Sequence, residues 1–275
     1  MFEGVSRRRA VAWALYDAGN SAFATTVMAA FFPAFFKAYW AEGADATEST
    51  FWLGVANSTG SIVVALLAPA LGAVADAGGV RKRFLTFFAF LGAAQTAALF
   101  LVEAGAWPLA ALLYVVAVVG FSGGNIFYDA LLVAVAPPKK MDVVSALGYA
   151  AGYLGGGVLF AVQVYAYQSP ATFGLSDPAT AIRVSFLSVG LWWLLLTVPL
   201  LLWVPEPPAA SGVRGLRLVG QGFRQLATTF RHARLLRHTF LFLVAYWLYI
   251  DGVDTVVRMA VDYGLSLGLP ESTPI

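Results

Sequence analysis

Residues 7–40 read RRRAVAWALYDAGNSAFATTVMAAFFPAFFKAYW. Three arginines precede an apolar stretch from Ala10 to Tyr39, and crossing ~30 Å of hydrocarbon takes roughly 20 such residues. A cleaved secretory leader has a shorter apolar core, and this one also carries an acid and an amide, Asp17 and Asn20. The stretch therefore reads as a membrane-spanning helix with Arg7, Arg8 and Arg9 as its anchor. Similar stretches follow at Trp52 to Ala75, Phe84 to Val102, Trp107 to Ala136, Val143 to Tyr167, Ile182 to Val204 and Thr239 to Met259. Each must be helical, because backbone exposed to lipid has no other way to satisfy its hydrogen bonds. The fold class expected is an all-α polytopic membrane bundle of seven spans.

Composition agrees with this. Of 275 residues, 60% are hydrophobic and 12% charged, against about a quarter charged in soluble domains. The net charge of +2 is small, and the basic residues are scattered among apolar blocks, which argues against a nucleic-acid partner and for a lipid bilayer. With no cysteine there is no disulfide, thiolate nucleophile or zinc-thiolate centre. No cofactor or metal is implied.

Basic residues set the orientation. Arg7 to Arg9, Arg81 to Arg83, Lys139 with Lys140, and six arginines between Arg214 and Arg237 fall in alternate connections. The intervening connections are acidic or neutral, with Glu42, Asp45, Glu48, Glu103 and Asp177. By the positive-inside rule the N-terminus is cytoplasmic and the seventh span ends outside. The connection 205–238 opens with Pro205, Pro207 and Pro208 and then places Leu216, Val219, Phe223, Leu226 and Phe230 at helical spacing beside Arg217, Arg224 and Arg231. An amphipathic surface helix is expected there, linking a six-helix unit (1–204) to the start of a second unit (239–275).

Ionisable groups at membrane depth are costly and usually face an interior cavity. Span one carries Asp17, Asn20, Ser21, Thr25 and Thr26; span four Ser122, Asn125, Tyr128 and Asp129; span seven Tyr249, Asp251, Asp254, Thr255 and Arg258. These three spans are expected to share one interior, with spans three and six, much plainer, against lipid. Asp17 and Asp129 lie toward the same ends of antiparallel spans; facing one another, they would share a proton. In span seven, Asp254, Arg258 and Asp262 share a face and predict a neutralised cluster, leaving Asp251 as a further proton-binding candidate. Ser145, Gly148, Gly152 and Gly156 mark a close-packing face of span five, whose partner is expected in helices after Ile275. Gly123 and Gly124 predict a bend in span four. A weak internal repeat aligns Leu15-Tyr16-Asp17 with Leu248-Tyr249-Ile250-Asp251, one residue inserted.

Gly72-Ala73-Val74-Ala75-Asp76, then Gly79, Arg81, Lys82 and Arg83, resembles the loop between helices two and three of major facilitator transporters, with one extra residue before the basic cluster. In that superfamily the loop gates the cytoplasmic side. More narrowly, Tyr16-Asp17-x-x-Asn20-Ser21, Tyr128-Asp129, Ser145-Ala146-Leu147-Gly148-Tyr149 with Gly155-Gly156-Gly157, and Tyr249-Ile250-Asp251-Gly252-Val253-Asp254-Thr255 look like the autophagy-related vacuolar effluxer family. This resemblance implies a twelve-helix fold, with five further helices expected after Ile275, and export of amino acids. The function expected is alternating-access transport of a small solute, coupled to protons, along a path lined by Asp17, Asn20, Ser21, Asn125, Tyr128, Asp129, Tyr249, Asp251, Asp254 and Arg258.

Three other readings compete. A seven-helix photoreceptor needs a retinal-bearing lysine in its last span, which has none, and an external N-terminus. A membrane hydrolase lacks residues for the work: both histidines, His232 and His238, fall in the basic connection, and no Gly-x-Gly-Asp follows Tyr128-Asp129. No enzyme is therefore expected. A non-transporting subunit or receptor derived from a truncated transporter is the alternative that the residues leave open.

Overall fold

The protein is described from a computed structural model covering residues 4–77, 79–208, 220, 224, 227, 228, 231 and 236–267, without the side chains of residues 76 and 77. Seven helices long and apolar enough to cross a membrane are present among them. They are α1 (Arg7–Trp40), α2 (Ala46–Ala77), α3 (Arg81–Leu101), α4 (Trp107–Ala130), α5 (Met141–Gln168), α6 (Pro178–Trp203) and α7 (Arg237–Ser266). No strand occurs among the described residues.

Several helices start earlier than hydropathy alone predicts, because polar caps extend them beyond the apolar core. The Asp45 carboxylate accepts the backbone N–H groups of Thr47 at 2.7 Å and Glu48 at 3.3 Å, so α2 begins at Ala46. Asp177 accepts the Thr180 N–H at 2.8 Å, and Pro178 occupies the first turn of α6. α7 runs seven residues beyond Met259, to Ser266. Within α1 the backbone widens after Ala22. Phe23–Phe31 and Phe36–Trp40 are π-helical, the Ala41 N–H reaching Phe36 O at 2.8 Å. Pro33, which has no N–H to give, lies between these widened turns.

α1 is the hub. It packs along α5 and α6, and its second half touches α7. Helix contacts close enough for backbones to meet run through small residues. A Cβ on Gly120 of α4 would lie 2.4 Å from Gly92 N of α3, and one on Gly190 of α6 would lie 2.6 Å from Ala93 O. Spans three and six, expected against lipid, bury one face in the bundle and expose large apolar side chains on the other, Phe87 and Phe90 of α3 and Leu191, Leu195 and Leu202 of α6. The most apolar windows of α3 and α6 are each 39% buried, as much as that of α4. Plain composition reflected tight packing there: Trp193 of α6 is fully buried against Gly92 and Phe23.

α4 is one unbroken helix through Gly123 and Gly124; these residues make room for the Phe88 ring and the Tyr16 hydroxyl, whose atoms a Cβ would meet at 2.5 and 2.6 Å. One further expectation changes: the small-residue face of α5 finds its partner inside this chain, on α1. Cβ atoms on Gly148, Gly152 and Gly155 would meet Trp13, Ser21 and Ala18 at 2.5, 2.6 and 2.6 Å. In the connection 205–238, only scattered residues are described. Arg224 and Arg231 are helical and exposed, while the apolar stripe Leu216, Val219, Phe223, Leu226 and Phe230 lies outside the described residues, as does Arg217.

Candidate functional site

The polar residues of α1 and α4 meet through one hydrogen bond: Asn20, only 1% exposed, donates through Nδ2 to Asn125 Oδ1. Beside it the rings of Trp13 and Tyr128 stack at 4.1 Å, and Trp13 Nε1 donates to the Tyr128 carbonyl at 3.1 Å. Tyr16 stacks on the other side of Tyr128 at 4.9 Å. The bare Cα atoms of Gly148 and Gly152 let α5 approach this stack closely. What remains between the three helices is a cavity of about 300 Å³.

Its lining includes Trp13, Asp17, Asn20 and Ser21 from α1; Asn125, Tyr128 and Asp129 from α4; and Ser145, Tyr149 and Tyr153 from α5. The first seven of these residues include every span-one and span-four candidate expected from sequence. Asp17 is half-buried and Asp129 is exposed at the mouth. Among the described residues, no lysine, arginine or histidine lines the cavity. Two buried polar atoms in the lining have no hydrogen-bond partner: the Tyr128 hydroxyl and Asn20 Oδ1 beyond its own amide contact. Buried polar groups normally find partners, so these two atoms are exceptions. Sequence reading missed the α5 contribution, because Tyr149 and Tyr153 resemble lipid-interface aromatics; their spacing of four, in register with Ser145 and Gly152, was the available signal.

A second tier of buried polar contacts holds α1 against α5 and α6. Thr26 Oγ1 donates to Gln163 Oε1 at 2.6 Å, and Gln163 Nε2 donates to Ser188 Oγ at 2.8 Å.

α7 does not share this interior. Tyr249, Asp251 and Asp254 are exposed on its surface, away from the cavity. This corrects the expectation of one interior common to spans one, four and seven. α7 meets α1 and α2, and the contacts there include Arg258 with Ser61 and Asp262 with Lys37. The charge cluster expected within α7 is also repartitioned. Arg258 stays with Asp254 at 4.0 Å and donates to Ser61 Oγ at 3.2 Å. Asp262, by contrast, is 1% exposed and pairs with Lys37 of α1 at 3.0 Å. Thr50 of α2 donates to its second oxygen at 2.7 Å, and Lys37 also reaches Ser266 at 2.6 Å. Lys37 escaped notice because, at the end of a span, it reads as an interface anchor.

At the opposite end, the loop between α2 and α3 is tied to the residues that follow α6. Glu206 accepts the backbone N–H groups of Arg81 at 3.0 Å and Lys82 at 2.8 Å, capping α3 where the helix dipole favours a carboxylate. Arg81 Nε donates to Ala75 O at 2.6 Å, Lys82 Nζ to Leu201 O at 2.6 Å, and Gly79 N–H to Pro207 O at 3.2 Å. Gly79 has φ +73°, which favours glycine, whereas Gly72 is a plain helical position and Arg83 is exposed. The side chain of Asp76 lies outside the described residues. Glu206, read from sequence only as part of a proline-rich break, is the residue that organises this loop.

A family profile described as "Vacuole effluxer Atg22 like" matches residues 5–267. The chain belongs to that family. An "Uncharacterized MFS-type transporter YxiO" of Bacillus subtilis is 39% identical over 264 residues, which are 95% of this chain and 61% of that protein. "Autophagy-related protein 22" of Yarrowia lipolytica is 32% identical over 139 residues, covering 43% of this chain and 22% of that one. The Atg22-like chain thus spans less than two thirds of these curated relatives. Among solved structures, "Crystal structure of D-xylose-proton symporter" aligns with a TM-score of 0.62 at 14% identity over 96% of this chain and 63% of the other. The inward-open xylose transporter XylE of E. coli aligns at 0.61 and 14%, over 91% and 62%. The fold is therefore of the major facilitator type, and the Atg22-like chain is an integral membrane protein.

Proposed function

We propose that this chain forms the first bundle, and the first helix of the second, of a secondary active transporter that moves a small solute by alternating access. The observation that carries the reading is the cavity between α1, α4 and α5. It brings Asp17, Asn20, Ser21, Asn125, Tyr128 and Asp129 together at membrane depth, where such groups are costly unless used. Residues 1–204 act as one rocking unit, 205–238 as the cytoplasmic linker, and 239–275 open the second unit; Tyr249, Asp251, Asp254 and Arg258, none of which lines the cavity between α1, α4 and α5, belong to the path where the two units meet. Family resemblance favours amino acids as the solute, and a bacterial relative supports a plasma-membrane location with the arginine-rich end cytoplasmic. The loop of Gly72, Asp76, Gly79, Arg81, Lys82 and Arg83, clamped by Glu206, serves as the cytoplasmic gate.

Protons drive the cycle through Asp17 and Asp129, with Asp251 as a further carrier in the second unit. The protein performs no covalent chemistry on its solute. Purified full-length protein in liposomes, screened with amino acids under imposed pH gradients, tests this directly. Gradient-driven uptake above protein-free liposomes is expected, reduced at least tenfold in Asp17→Asn. Unchanged uptake in Asp17→Asn removes the cavity from the pathway, and unchanged uptake in Asp251→Asn removes that residue.

A further inference from the structure

The cavity is not only polar; its chemistry has one sign. Asp17 and Asp129 supply two carboxylates, and the other titratable groups facing them are phenols: Tyr16 on α1, Tyr128 on α4, and Tyr149 and Tyr153 on α5. α6, packed on the far side of α1, contributes Trp192, whose Nε1 donates to the Ala18 carbonyl at 3.0 Å, and Trp193. Among the described residues no cationic side chain lines the space, so none of them offsets the acids or receives a solute's carboxylate. Trp13 and Tyr128 of the lining are stacked on one another, whereas Tyr149 and Tyr153 are open, and an open aromatic face attracts cations through its ring quadrupole.

A second observation points to an occupant. The Tyr128 hydroxyl, on a residue only 4% exposed, and Asn20 Oδ1, on one 1% exposed, are buried at the lining without partners. Both can accept a hydrogen bond from an N–H group. A volume of about 300 Å³ suits a small head group and not a whole large solute.

We propose that Asp17 and Asp129 receive the protonated amine of the solute within this aromatic enclosure, and that a proton competes with the amine for the same carboxylates. This rests on the transporter reading and deepens it. The first bundle reads the ammonium end of the solute, and any carboxylate must be met by another part of the protein. Because amine and proton compete for the same carboxylates, they exchange across the membrane instead of travelling together.

The test uses purified full-length protein and ligand-induced shifts in its melting temperature. The probes are the common amino acids, their N-acetyl derivatives, which lack the ammonium, and their decarboxylated amines, which retain it. The amine must bind at least tenfold more tightly than its N-acetyl counterpart, and binding must weaken as pH falls from 8 to 5. Asp17→Asn and Asp129→Asn are each expected to lose at least tenfold in affinity, whereas Asp17→Glu retains binding. Equal binding of amine and N-acetyl forms, or binding indifferent to pH, overturns the proposal using unmutated protein alone. If the protein carries a solute without an amine and Asp17→Asn does so equally well, the proposal falls while the transporter reading stands. If no probe is bound or moved, both fall.

Discussion

Tyr16 and Asp17 are neighbours in sequence, but one is fully buried against Tyr128 and the other opens onto the cavity. Helical geometry accounts for this, since successive side chains are turned by about 100°. It also makes Asp17, Asn20, Ser21 and Thr25 one face legible from spacing alone. What spacing could not disclose is which neighbour each small residue admits. Gly120 and Gly157 look alike in sequence, yet a Cβ on Gly120 would meet the backbone of Gly92 at 2.4 Å, whereas one on Gly157 meets nothing within 4 Å. Gly120→Ala should therefore destabilise the protein by about 1–3 kcal/mol, the usual cost of overpacking. Gly157→Ala should be neutral or stabilising by up to ~1 kcal/mol through helix propensity. Melting temperatures of the two variants in detergent check this, and equal shifts would contradict the packing at Gly120.

At the level of elements, apolar runs located all seven spans, while the caps at Asp45 and Asp177 shifted their starts. Those caps were visible as an acid followed by a helix-forming segment, but hydropathy outweighed them. Hydrogen bonds from the Ser176 hydroxyl and from Thr180 hold the Asp177 carboxyl at about 2, below the ordinary carboxylate range. A depressed value means that the cap's contribution is full above the unfolded value of about 4 and is lost as pH falls through about 2. Hydrogen exchange at Thr180 should thus stay protected at pH 4 and open near pH 2, and Asp177→Asn should abolish that dependence.

Helix partners were less legible, because a partner is chosen by shape across long sequence separations. Lys37 and Asp262 are the clearest case, joining α1 to α7 with Thr50 of α2 between them. Removing one member strands a buried charge, a loss of about 3–5 kcal/mol for fully buried pairs. Lys37→Met should accordingly lower the melting temperature more than the double variant Lys37→Met with Asp262→Leu. A double variant as unstable as the two single losses combined would contradict this, because additive losses mean that the two residues are not coupled.

For the whole molecule, charge distribution predicts orientation and the fold supplies the cavity. The chain contains no cysteine, so single introduced thiols report sidedness on a clean background. A cysteine at Ala44, between α1 and α2, should react with a membrane-impermeant maleimide added outside cells. One at Lys140, between α4 and α5, should react only after permeabilisation. The reverse pattern would invert the topology.

The account depends most on the space among α1, α4 and α5 being reached by water from the arginine-rich side. Single cysteines at Ser21 and Ser145, both lining that space, can be compared with one at Leu195, which is 64% exposed on α6. In inverted membrane vesicles bearing the full-length protein, a hydrophilic maleimide is expected to label the two cavity positions and to leave Leu195→Cys unlabelled in lipid. Cavity positions as unreactive as Leu195→Cys would contradict the account.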